Sequence, residues 1–234
     1  MLDLPARLLL SPLLAAQAVG VRRRALRLPE PEGPRAGQTG AGPPLSLLII
    51  GDSSAAGVGV TRQQDALSGQ LTHRLAQRFD LRWRLQARTG ATTGSTLADL
   101  ATAKPEPFDV IITALGVNDV TRLVPYPLWL RRQGALLERL RLLYGPRRIY
   151  VSGVPPVGSF PLLPDPLRWT LGRQARRFDQ GLAAVLHGTS DAVHVPFDLP
   201  MNPSLIAEDG FHPSARLYKV WGERKASRIV SDWL

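Results

Sequence analysis

Four short segments of this chain concentrate residue types able to do chemistry. They read Gly51-Asp52-Ser53-Ser54, Arg88-Thr89-Gly90-Ala91-Thr92, Gly116-Val117-Asn118-Asp119 and Asp209-Gly210-Phe211-His212-Pro213. A serine hydroxyl becomes a useful nucleophile only when a base removes its proton, and histidine is the usual base near neutral pH. Ser53 supplies the hydroxyl and His212 the base. Asp209, three residues before His212, is placed to hold the imidazole in the productive tautomer. Attack on a carbonyl creates an oxyanion, which needs preorganised donors. The backbone N–H groups of Ser53 and Gly90 and the side-chain amide of Asn118 can converge to supply them. Together these residues form an inventory for acyl transfer.

Other chemistries fit less well. Gly57-Val58-Gly59 lacks the third glycine of a dinucleotide fingerprint, and no Gly-Lys-Ser/Thr follows it. Asp191-Ala192-Val193-His194 repeats the D-x-x-H spacing, but His194 falls inside a predicted strand, as a half-buried sheet residue. His73 and His187 read as surface positions on helices. Asp52 and Asp119 read as carboxylates that fix turns by accepting backbone hydrogen bonds. The chain has no cysteine and no H-E-x-x-H spacing, so neither a metal nor a cofactor is expected.

The elements that must position these segments can be read from hydropathy. Short apolar runs at 45–50, 108–115, 148–152 and 192–197, with an alternating run at 81–87, predict five strands. Helical spacing over 63–79, 128–143, 167–186 and 214–233 separates them. Strands joined by helical crossovers imply a parallel sheet covered on both faces. In such a sheet ligands collect beyond the carboxyl ends of the strands, where three of the four segments lie. The proline-rich stretch 154–167 follows the fourth strand and reads either as a rigid loop packed on the sheet edge or as an apolar wall for an acyl chain, with Val124, Tyr126 and Trp129 then able to form the opposite side.

The four segments together resemble the GDSL, or SGNH, hydrolase family of bacterial-type serine esterases and lipases. The resemblance covers about 45–234. It implies a flavodoxin-like three-layer α/β fold with a five-stranded parallel sheet. It also implies Ser53 as nucleophile, Gly90 and Asn118 as oxyanion donors, and Asp209 with His212 completing a triad. The implied reaction is hydrolysis of a lipid or acyl ester by a lysophospholipase-, esterase- or thioesterase-like route. A carbohydrate O-acetyl esterase of the same fold is the alternative. A non-catalytic module that binds anionic lipid or nucleic acid through its arginines is the competing class.

The remaining 1–44 reads as an appendage to the 45–234 domain. Residues 4–20 form a long, mainly apolar stretch that Arg7 interrupts. They fit a signal peptide with an Ala16-Gln17-Ala18 cleavage site, an interfacial helix, or a helix packed on the domain. They are accordingly compatible with cytoplasmic, membrane-peripheral or periplasmic placement. Residues 28–44 hold five prolines and four glycines and read as a linker. Over 234 residues the formal net charge is +10, and only three of the 29 basic side chains are lysines. No basic run is interleaved with aromatics as a nucleic-acid platform requires, so nucleic acid is not expected as a partner. The densest cluster, Arg22–Arg24, follows the apolar segment and suits peripheral association of residues 4–27 with an anionic membrane.

Overall fold

The apolar run at 45–50 forms the central strand of a six-stranded sheet. In the computed structural model, which describes residues 10–199 and 202–233, that strand is β2, Pro44–Gly51. The others are β1 (Ala36–Thr39), β3 (Asp80–Ala87), β4 (Val110–Ala114), β5 (Arg148–Ser152) and β6 (Ala192–Val195). Their order is β1-β3-β2-β4-β5-β6. From β2 to β6 all neighbours are parallel, in the order that characterises flavodoxin-like sheets.

Alternation along the strands divides the core in two. Leu48, Ile50 and Ile111 face one side, against α6 (Tyr126–Tyr144) and α7 (Leu167–Leu186). Leu47, Ile49 and Ile112 face the other, against α3 (Leu67–Leu75) and α8 (Ala215–Trp233). Three shorter helices, α2 (Ser53–Ala56), α4 (Thr93–Ala101) and α5 (Val117–Thr121), begin just after β2, β3 and β4. The chain thus turns sharply at each carboxyl edge and leaves polar residues there.

Two expectations need correction. The sheet has six strands, not five, and the sixth comes from the stretch read as a linker. β1 pairs antiparallel with β3, from Ala36 opposite Arg84 to Thr39 opposite Leu81. Gly40 then takes φ +91 and passes so close to the Ala76 and Phe79 carbonyl oxygens that a Cβ would overlap both. Here glycine serves close passage, not looseness. The second correction concerns the helix expected over 63–79. It is a 3-10 turn at Gln63–Asp65, an extended Ala66, and then α3. The buried Gln63 side chain causes the break: its amide donates to the Ala56 carbonyl (2.8 Å) and its oxygen accepts from the Ser68 hydroxyl (2.7 Å).

Helix α1, Ser11–Arg24, docks on the start of α7 through Gln17. Its amide donates to the Asp165 carbonyl (2.7 Å), and its oxygen accepts from the Leu167 N–H (3.1 Å). Leu14 and Val21 pack against the core, while Leu13 and Val19 are exposed. Residues 4–9 of the apolar stretch lie outside the described residues. No described helix is long and apolar enough to cross a membrane.

Candidate active site

Ser53 opens α2 directly after β2, held there by its neighbours. A Cβ on Gly51 would overlap Ala55 and the Ala114 carbonyl oxygen (2.7 Å), so only glycine lets the turn fold back on β4. Asp52 caps the helix, its Oδ1 accepting from the Ser54 N–H at 3.0 Å. Burial pushes the Asp52 carboxyl up to about 6, against the Ser54 hydrogen bond and the nearby His212, which favour its charged form. Asp52 is therefore a turn carboxylate, as its position suggested.

Asp209 and His212 reach Ser53 from the loop that leads into α8. His212 Nε2 lies 2.8 Å from the Ser53 hydroxyl, and Nδ1 lies 2.5 Å from Asp209 Oδ2. The partners set the proton positions: Nδ1–H donates to the carboxylate, which leaves Nε2 to accept the serine proton. The three-residue spacing has a further use. Asp209 Oδ1 accepts from the backbone N–H groups of both Phe211 and His212, each at 3.0 Å. Burial disfavours the Asp209 charge, yet the His212 side chain and these backbone donors outweigh it and hold the carboxyl below the usual range. Asp209 is 5% exposed and Ser53 7%, so the relay is shielded from bulk water.

The loops carrying Gly90 and Asn118 are tied to each other. Asn118 donates one amide N–H to the Ala91 carbonyl (3.0 Å), leaving its second N–H available. Asp119 Oδ2 accepts from both the N–H and the hydroxyl of Thr93, each at 3.0 Å. Arg122 donates to the Gly90 carbonyl (2.9 Å). On the outer side Glu30 Oε1 accepts from the Thr89 N–H (2.6 Å) and hydroxyl (2.8 Å), and Arg35 bridges Glu30 Oε2 (2.8 Å) to the Ala87 carbonyl. Burial is the largest single influence and opposes the Glu30 charge, but the Thr89 and Arg35 hydrogen bonds together outweigh it and lower its pKa. Sequence reasoning passed over Glu30, Arg35 and Arg122, since nothing in their spacing marks them.

A pocket, partly open to solvent, adjoins Ser53. Its walls are mainly apolar: Phe160 from the proline-rich stretch, and Phe197, Ile206, Phe211, Leu217 and Trp221 from the C-terminal side. The expected wall at 154–167 is therefore present through Pro155 and Phe160. The expected opposite side is not. Trp129 is fully buried and stacks on Phe178 (4.3 Å between ring centroids), and Tyr126 packs on the same ring. That aromatic face is used up between α6 and α7.

His194 is placed apart from Ser53. Its Nε2 lies 2.8 Å from Asp179 Oδ1, which also accepts from the Val154 N–H (2.9 Å).

Comparison with known proteins places the family and the fold. The model of the GDSL-like Lipase/Acylhydrolase family matches residues 49–220. Among solved structures, the psychrotrophic esterase EstA from Pseudoalteromonas sp. superposes with a TM-score of 0.61 at 19% identity, over 80% of this chain and 97% of that one. A putative arylesterase from Agrobacterium tumefaciens gives 0.63 at 17%, over 80% and 99%. A carbohydrate esterase family 2 enzyme from Corynascus thermopiles, with its carbohydrate-binding domain, gives 0.59 at 14%, over 82% and 68%. No curated protein sequence matches the chain.

Proposed function

The chain belongs to the GDSL-like lipase/acylhydrolase family and is an ester hydrolase, and from that premise we propose that it cleaves esters of apolar acyl chains through an acyl-Ser53 intermediate. The observation that carries this reading is the continuity of the Asp209–His212–Ser53 relay with the apolar pocket.

Ser53 Oγ attacks the ester carbonyl carbon while His212 Nε2 takes the hydroxyl proton. The Ser53 N–H, the Gly90 N–H and the free Asn118 amide N–H receive the charge that develops on the carbonyl oxygen. The bond to the leaving alcohol breaks as His212 returns the proton to it. Water then attacks the acyl carbon with His212 again as base, and the acid departs as Ser53 regains its proton. Asp209 stays ionised throughout and supports the transient imidazolium.

Phe160, Phe197 and Trp221 favour a hydrocarbon chain over a bare acetyl group, which supports the lipid or acyl ester reading, thioesters included, over a carbohydrate O-acetyl esterase. Each buried methylene contributes about 0.8 kcal/mol, or about fourfold in kcat/KM. Activity on p-nitrophenyl esters from acetyl to octanoyl should therefore climb with chain length; a steep preference for acetyl would overturn this assignment. Ser53→Ala should lose fluorophosphonate labelling and drop kcat by a factor on the order of 10,000 or more, since triad members act as a unit. Labelling that survives the substitution would remove Ser53 as the nucleophile.

A further inference from the structure

One polar atom in the pocket has no role in the relay. Ser152 ends β5 and is 3% exposed, and its hydroxyl has no hydrogen-bond partner. A buried hydroxyl without a partner is costly, and such costs are tolerated mainly where a ligand supplies the missing bond.

Register and alternation show where that hydroxyl points. Gly51 pairs with Ala114, and Thr113 with Val151, so Gly51, Ala114 and Ser152 occupy one row across the sheet. Ile149 and Val151 face the α6 and α7 side, whereas Tyr150 faces α8. Ser152 therefore projects with Tyr150, toward the side that contributes Leu217 and Trp221 to the pocket. The three side chains of the row are small, which leaves the pocket its depth, and only the last can form a hydrogen bond.

We propose that Ser152 reads an oxygen function on the acyl chain, so that the pocket selects hydroxy- or oxo-substituted acyl groups over plain hydrocarbon ones. This rests on the reading of Ser53 as nucleophile and of the pocket as the acyl site. Two strand spacings separate the Gly51 and Ser152 positions, about 10 Å. A chain that begins at Ser53 and crosses the strand ends meets Ser152 several carbons beyond the carbonyl. The substituent recognised is thus mid-chain or distal, not the one adjacent to the ester.

The test compares p-nitrophenyl octanoate with octanoates carrying a hydroxyl or keto group near the carbonyl, in mid-chain, or near the far end. Wild type should prefer the mid-chain or distal derivative over plain octanoate by about three- to tenfold in kcat/KM, the effect of one hydrogen bond. Ser152→Ala should erase that preference while leaving plain octanoate unchanged and the melting temperature no lower. Ser152→Thr, which restores a hydroxyl on a side chain suited to a strand, should keep it. An equal preference in wild type and Ser152→Ala overturns the inference and leaves the acyl-chain reading standing. A wild type that turns over acetyl but no octanoyl ester overturns both.

Discussion

Two histidines each meet an aspartate within hydrogen-bond distance, and of the two His212 alone also meets a serine. The difference was legible in the sequence because D-x-x-H behaves differently on a loop and in a strand. On the loop, Asp209 bends back to accept from two backbone N–H groups while holding the imidazole. In the strand, Asp191 cannot reach His194 and is held instead by Arg141 at 2.6 and 2.8 Å, which keeps its carboxyl below the usual range despite some burial. His194 finds Asp179, on α7, a partner no local spacing discloses. The pair braces the exit from β5 through the Val154 N–H. His212→Ala should therefore abolish ester turnover, whereas His194→Ala should keep it within about tenfold and lose about 1 kcal/mol of stability, a fall in melting temperature of about 2–4 °C. Parallel assays and thermal melts on the two variants check this, and loss of activity in His194→Ala would reopen the choice of base.

At the scale of elements, strands and long helices follow from periodicity because burial on both faces imposes it. The α7 span, 167–186, and the β5 span, 148–152, coincide with their hydropathy patterns. Helix α4 does not, because its start signal is weak. Thr92 accepts from the Ser95 N–H (3.1 Å) and Ser95 from the Thr92 N–H (2.9 Å), a capping box with serine where glutamate is usual. Helix α8 holds a different surprise: Lys225, which as a lysine reads as solvated, is 3% exposed with its Nζ unpartnered, near the Trp221 ring. Burial lowers its pKa from 10.5 to about 7. Between those values the unfolded chain binds the proton that the folded protein has released, so the stability attributable to this group rises with pH, and the full penalty applies below about 7. Lys225→Met should thus be more stable than wild type by roughly 4 kcal/mol at pH 6, and the advantage should shrink steadily as the pH approaches 10. Urea unfolding across that range measures it; a difference that does not change with pH would mean the amine is not titrating in the fold.

The charge of the whole molecule looks different once its arginines are placed. Many are structural: Arg141 holds Asp191, Arg139 holds the Leu100 carbonyl, Arg122 the Gly90 carbonyl and Arg35 the Ala87 carbonyl. Composition could not show this, since a count does not distinguish a solvated guanidinium from one gripping a loop. For the same reason proline and glycine made 28–44 look like a tether, although it closes the sheet edge and carries Glu30 to the turn before Gly90. The boundary read at Leu45 thus separates Glu30 from the loop it holds. Removing 1–44 would expose the β3 edge to association as well as unfix that loop, so it cannot isolate the second effect. Glu30→Ala can. The turn would then rely on Arg122 and Asn118, and Gly90 would lose definition where the oxyanion is expected to form. Such a loss acts on the transition state more than on the bound ester, so kcat should fall by about tenfold with KM little changed. Fluorophosphonate labelling of Ser53 should slow with it, while the melting temperature moves by only a few degrees. Glu30→Gln retains one acceptor for Thr89 and should recover most of the rate. If kcat is untouched in Glu30→Ala, the inner contacts alone fix the turn, and the N-terminal segment serves the sheet edge but not the site.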